Sequence, residues 1–196
     1  MDIGFIQKYI PMYVEAGILT VRIAFIGIVL SFVVGLFCSL VQYYKVPFLK
    51  RILKSYIDLS RNTPLLIQLF FLYFGLPKLG IKLSSESTAI IGLVFLGGSY
   101  MSEAFRSGLE AIPDSQIEAG LSIGLTKLQV FGYVLLPQAL SISVPAFAAN
   151  TVFLVKETSV FSAVALADLM FVAKDLIGLY YKTDEALLML VMAYLI

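Results

Sequence analysis

Two stretches of this chain carry no charged residue for longer than a soluble helix needs: residues 23–44, 22 in length, and residues 128–155, 28 in length. A helix rises about 1.5 Å per residue, so about 20 apolar residues cross the hydrocarbon core of a bilayer. In water such runs must be covered on all sides. A chain of 196 residues that is 60% hydrophobic, with a mean hydropathy of +0.94, has little polar surface with which to do so. The expectation is an all-α integral membrane protein. Spanning strands are not expected, because no ten-residue alternation of apolar and polar residues repeats along the chain.

Composition also removes several function classes. A net charge of +1 with no basic face or tail gives no electrostatic case for nucleic acid. There is no histidine, which argues against most intramembrane hydrolases and metalloenzymes. The single cysteine, Cys38, lies inside the first apolar run and excludes an intrachain disulfide. No metal-ligand cluster, no G-x-S-x-G and no G-x-x-x-x-G-K-[ST] occurs, so neither a bound metal nor a phosphate-cradling loop is expected. The first residues lack the basic start of a cleavable signal peptide, and the first membrane helix is expected to direct insertion itself.

The pattern predicts about five transmembrane helices in one domain, residues 1–196. The first covers residues 18–43, after an interfacial segment interrupted at Pro11, with Arg22 snorkelling near its outer end. A basic connection follows, with Lys45, Lys50, Arg51 and Lys54. The second starts at Thr63-Pro64, with Thr63 as its cap, runs to about Tyr73 and is ended by Gly75-Leu76-Pro77. The third covers residues 87–106, and the fourth residues 136–155 with Pro145 inside. Residues 156–182 read as a less regular stretch at the outer surface. The fifth helix begins near Thr183 and is expected to be incomplete, because only 11 uncharged residues follow Glu185. The four cations of the first connection place it in the cytoplasm and the amino terminus outside.

Between the third and fourth spans lies a polar, glycine-punctuated segment, EAGLSIGLTKLQVFGYVLLP, from Glu118 to Pro137. Ser115-x-x-Glu118 and Thr126-x-x-Gln129 each have the form of a capping box, and Gly124 stands where a left-handed cap would end a short helix. The expected structure is two short helices bent at a glycine, with Ala119 and Gly120 leaving the first bare for close approach. An ordinary amphipathic interfacial connection is the plainer reading of such a segment alone.

The spacing Glu118-Ala119-Gly120, Gly124, then Leu136-Pro137 resembles the coupling-helix signature of ABC importer permeases. Arg61 to Pro77, RNTPLLIQLFFLYFGLP, is similar to the second-helix motif of polar amino acid permeases of the histidine and glutamine type. Lys156-Glu157-Thr158-Ser159 is similar to a Lys-Asp/Glu-Thr-Ser run in that family. Gly120 departs from it, standing where the family usually has a second alanine. The resemblance implies a type I ABC importer permease fold in a bacterial inner membrane, with the segment acting as a cytoplasmic coupling helix. It implies a pair of ATPase subunits that hold the ATP and magnesium, a second permease subunit (identical or related), an extracytoplasmic solute-binding protein and a polar amino acid as substrate. No cofactor is expected on this chain. An ABC permease for another small solute, or a stand-alone channel or scaffold, is the alternative.

The remaining polar groups each carry two readings. Glu103 and Arg106 lie three apart on the third span, with Ser99 one turn before and Glu110 one turn after. They form either a stripe facing the solute pathway or a structural pair near the helix's inner end. Ser99 and Tyr100 lie nearer the midplane, as pathway groups or as interhelical hydrogen-bond partners. Gln68 and Asn150 suit interhelical bonding or, as the alternative, solute contact, with Gln68 a pathway candidate. Lys156, Glu157 and Thr158 read as solute contacts or as a solvated helix end.

Overall fold

Apolar residues without a helix breaker in their interior propagate a helix until something stops them. Helix α1 (Ile3–Tyr43) accordingly runs for 41 residues in the computed structural model, which describes residues 1–195. Pro11 does not interrupt it. A proline removes one hydrogen bond and crowds the carbonyl four residues earlier. Here that carbonyl lies in the helix's second turn, and packing of Tyr9, Tyr13 and Ala16 holds the segment in place. At about 1.5 Å per residue, α1 is about 60 Å long, so only part of it can lie in the hydrocarbon core.

Residues 1–28, 63–93 and those from 154 onward form one compact unit. It contains the first part of α1, α3 (Leu65–Phe70), the start of α4 (Ser85–Glu110), a 3-10 segment (Thr158–Val164), α8 (Leu169–Tyr180) and α9 (Thr183–Leu195). Tyr9, Leu176, Ala186 and Met189 meet in its core, where the Tyr13 hydroxyl donates to the Ala186 carbonyl at 2.8 Å. The side chain of Arg22 does not merely snorkel but pairs with Glu86 at 2.7 Å. Glu86 lies in the first turn of α4, where a helix dipole favours an anion.

The second expected span differs from its prediction at both ends. Pro64, not Thr63, takes the N-cap position, and no side chain caps it. At the other end Gly75-Leu76-Pro77 does not stop the chain. A π turn, Phe71–Gly75, and a 3-10 turn, Leu76–Leu79, carry it to Gly80, whose φ of 84° closes it. Pro77 is tolerated because it falls at the start of that turn, while the wider π turn relieves crowding at the carbonyl four residues back. Among the described residues three helical runs are long and apolar enough to cross a membrane: Ile3–Tyr43, Ser85–Glu110 and Lys127–Val164. Leu65–Leu79 is a shorter apolar helix, and α9 has 13 residues.

Residues 29–62 and 94–153 form the other unit. The basic connection folds there as α2 (Leu49–Arg61), a helix absent from the sequence prediction. Ile57 and Ser60 are buried on it, and Tyr56 and Ser60 both donate to the Phe95 carbonyl, at 2.7 and 2.9 Å. The 3,4-spaced series Leu53, Tyr56, Ile57, Ser60 carries this signal, masked by five interspersed charges. Gly35 lets α1 and α4 approach backbone to backbone. A Cβ there would lie 2.8 Å from the Ser102 nitrogen, so any larger residue forces the helices apart. Next to this contact Phe32, Phe105 and Phe147 stack with centroids 4.6 to 6.3 Å apart.

Candidate functional site

After α4, Pro113 in extended conformation leads into α5 (Asp114–Ser122). The expected box Ser115-x-x-Glu118 does not form, because the helix starts two residues earlier than that box requires and Ser115 already sits in its first turn. Asp114 supplies the favourable negative charge at this end instead. The other end matches its prediction. Gly124 takes φ 89°, its N–H bonds the Leu121 carbonyl at 3.0 Å, and the Leu125 N–H bonds the Gly120 carbonyl at 3.2 Å. These are the two hydrogen bonds of a Schellman cap. Immediately afterwards α6 (Lys127–Val130) opens with a complete capping box. The Thr126 N–H donates to Gln129 Oε1 at 2.8 Å, and the Gln129 N–H donates to Thr126 Oγ1 at 3.3 Å. Two caps set end to end fix the bend at both sides.

The inner side of this elbow packs Val130, Phe131 and Leu135 against Leu109, Ile112 and Ala139. Gly120 belongs to that inner side. It is buried, and a Cβ on it would lie 2.8 Å from Val130 Cγ2. The close approach that Gly120 permits is therefore to the chain's own Val130, correcting the expectation that Gly120 and Ala119 share an open surface. Glu118 and Ala119 do face outward, and Ile123 is 78% exposed. The elbow is continuous with the fourth span, since α6 passes through a π turn (Phe131–Leu135) into α7 (Leu136–Glu157). Leu136-Pro137 thus stands inside a helical run that began at Lys127, not at its start. Pro137 again directly follows a π turn, as Pro77 does.

In the same unit Glu103 is the centre of a charged cluster. Arg106 donates to both its carboxylate oxygens, at 2.8 and 3.2 Å, and to Glu110 at 2.6 Å. Arg61, from the last turn of α2, reaches Glu103 Oε2 at 3.5 Å and lies 5.0 Å over the Tyr100 ring. A cleft of about 840 Å³ opens on this cluster, lined also by Gln42, Lys50, Lys54 and Asp58. In the sequence Arg61 stands only as part of a motif; its role as a second cation on Glu103 depends on α2, which the prediction lacks. Ser99 does not join the stripe. It is buried, 3.0 Å from the Ser60 hydroxyl, and donates to the Leu96 carbonyl at 2.7 Å. Tyr100 stacks on Phe153 at 4.9 Å, and its carbonyl accepts from Asn150 at 3.2 Å.

The other polar candidates belong to the first unit. Gln68 is buried and donates to the Thr63 carbonyl at 2.9 Å, closing the first turn of its own helix. Lys156 is exposed, Glu157 half-buried, and no ion pair joins them among the described residues. Thr158 is buried, donates to the Val155 carbonyl at 2.7 Å and lies 3.4 Å from the Tyr194 hydroxyl. No cluster of three or more metal-ligating side chains occurs among the described residues.

Asp168, which sequence reasoning passed over, is fully buried and caps α8 by accepting the Phe171 N–H at 2.8 Å. Burial pushes its carboxyl up to about 6, against the opposing pull of that N–H and of Lys174. The folded protein therefore holds this proton more tightly than the unfolded chain does. The resulting stabilisation is complete below about pH 4 and is lost as pH rises through 6. Asp168→Asn keeps a capping oxygen but removes the charge. Unfolding of the full chain in detergent should lose about 2 kcal/mol between pH 4 and 7, and the variant should show a flatter profile there. Equal slopes would mean that Asp168 does not titrate in that window.

Residues 27–196 match the family of binding-protein-dependent transport system inner membrane components. The Probable glutamine ABC transporter permease protein GlnP of Bacillus subtilis (strain 168) is 37% identical over 172 residues, covering 88% of this chain and 79% of that protein. The Probable amino-acid ABC transporter permease protein PatM of Vibrio harveyi is 31% identical over 196 residues, covering 98% and 88%. A crystal structure of an amino acid ABC transporter with histidines superimposes with a TM-score of 0.92 at 28% identity, over all of this chain and 91% of the other.

Proposed function

The chain belongs to the family of binding-protein-dependent transport system inner membrane components, and from that membership we propose how this permease subunit works and what it carries. It is a multi-pass membrane permease of an ABC importer and a transport subunit, not an enzyme. The substrate class we propose is the polar amino acids, in keeping with the names of its relatives. A solute-binding protein delivers the substrate on the outer side, where the amino terminus also lies. Two ATPase subunits bind on the cytoplasmic side of a bacterial inner membrane and carry the ATP and magnesium. A second permease subunit, identical or related, completes the pathway.

The observation that carries this reading is the doubly capped elbow at Gly124. A polar segment held rigid between two membrane helices, with Glu118, Ala119 and Ile123 facing outward, suits a surface gripped by an ATPase. Because α6 runs into α7 without a break, a displacement of the elbow is passed to the fourth span as movement of a rigid body. ATP binding closes the ATPase pair and opens the permease outward; hydrolysis resets it inward. Glu103, Arg106, Tyr100 and Arg61 line the solute pathway in this reading, while Lys156, Glu157, Thr158, Gln68 and Ser99 serve mainly to position their helices.

Reconstitution tests it. Proteoliposomes holding this chain, a candidate ATPase and a solute-binding protein should take up labelled glutamine or histidine only with ATP inside. Uptake that proceeds without ATPase or nucleotide would instead identify a channel.

A further inference from the structure

The charge-free run that forms the second half of α1 extends to Tyr44, just past the helix end, and the next residue is a lysine. The loop that follows therefore sits at the depth where hydrocarbon gives way to headgroups. Tyr43 and Tyr44 stack there on Phe131, at 6.0 and 5.6 Å, as aromatic rings do at a membrane interface. Residues 45–48 fold back over the first turns of α2 and enclose a groove of about 460 Å³ with Lys45, Lys50, Arg51 and Lys54 on its rim. None of these four cations forms an ion pair among the described residues. No acidic residue lines the groove itself, although Lys45, Lys50 and Lys54 also border the neighbouring cleft, which holds Asp58, Glu103 and Glu110. The floor is apolar, formed by Val46, Pro47 and Phe48, and Phe48 is 79% exposed.

Two residues hold this loop in a conformation that side chains rarely adopt: Lys45 at φ 50° and Phe48 at φ 64°. Such positions are kept only where surrounding structure or function demands them. Ile52 and Leu59 are exposed on a different flank of α2 from Lys50 and Lys54, an apolar strip suited to lipid. A concave cluster of cations that form no ion pair, with apolar residues beside it, is complementary to a phosphodiester bearing acyl chains.

We propose that this groove is a headgroup site for an anionic phospholipid. Its phosphodiester is held among Lys45, Lys50, Arg51 and Lys54, with Phe48 beside the upper acyl chain. The inference is independent of which solute the permease carries.

The chain contains no tryptophan, so Phe48→Trp places a single fluorescent reporter in the groove. The full chain carrying it is reconstituted in vesicles containing brominated phosphatidylglycerol or, at equal mole fraction, brominated phosphatidylcholine. A basic residue beside an anionic surface is worth about fivefold in occupancy, so the brominated anionic lipid should quench the introduced indole at least severalfold more strongly. Adding Lys50→Gln, Arg51→Gln and Lys54→Gln should bring the two lipids to equality while leaving quenching by phosphatidylcholine unchanged. If that variant does not fold, raising salt on the reporter protein must reduce the preference in the same way. Equal quenching by both lipids overturns the proposal. So does reversal of the preference by millimolar inorganic phosphate, which would identify a free-anion site. Quenching by neither lipid, with the reporter's emission shifting only on adding an ATPase subunit, would assign the groove to a protein partner.

Discussion

Replacing Ala119 by tryptophan is expected to abolish capture of an ATPase subunit while leaving the permease folded. Ala119 faces outward on α5, next to exposed Glu118, whereas its neighbour Gly120 faces inward onto Val130. Ala119 is exposed, so folding should change by no more than about 0.5 kcal/mol. The same ring blocks any surface that fits closely against α5, and a tenfold loss of affinity needs only about 1.4 kcal/mol. Co-purification from mild detergent, with the native chain beside the variant, reads this directly. Gly120→Trp is the instructive contrast. It drives a ring into Val130 and should unfold the elbow itself, at about 1–3 kcal/mol or more for overpacking. Loss of capture in both variants, with thermal stability lowered only for Gly120→Trp, would place the docking face on the outer side of α5. Normal capture by Ala119→Trp would remove α5 from the interface.

The contrast between these neighbours shows where sequence reasoning stops. Gly124, Thr126 and Gln129 are legible because a left-handed cap and a capping box are local devices, set by residues within one turn. Which way Gly120 faces is set by Val130, ten residues later and across the bend, and no local rule supplies that phase. The long apolar runs announce α1, α4 and α7, since a bilayer tolerates little else. Their ends are misjudged at Pro11 and at Gly75-Leu76-Pro77, where packing and π turns absorb what proline and glycine would break in isolation. Helix α2 is hidden for the opposite reason. Its charges draw attention to the connection and away from the 3,4-spaced residues beneath them. With α2 missing, Arg61 has no place near Glu103, so the cluster reads as one helix's stripe when it in fact joins two helices.

That cluster yields the second large effect: Glu103→Gln should lower transport at least tenfold while lowering expression and stability only slightly. Glutamine keeps the size and one acceptor oxygen but removes the charge that Arg61 and Arg106 share. The side chains are 25%, 40% and 34% exposed, so water screens much of each interaction, and the pairs together contribute about 1 kcal/mol to folding. For transport the loss is larger. Two guanidinium groups remain beside a cleft of about 840 Å³ whose wall carries Lys45, Lys50, Lys54 and Arg106 against Asp58, Glu103 and Glu110, so losing Glu103 raises the wall's excess positive charge from one to two. Arg61→Gln separates the two roles of this carboxylate. If Glu103 acts by holding Arg61 over Tyr100, the double variant transports no worse than Glu103→Gln alone, since residues acting as a unit are not additive. If Glu103 meets the solute itself, the two losses multiply. Expression falling in proportion to transport in every variant would reduce the cluster to a brace between α2 and α4.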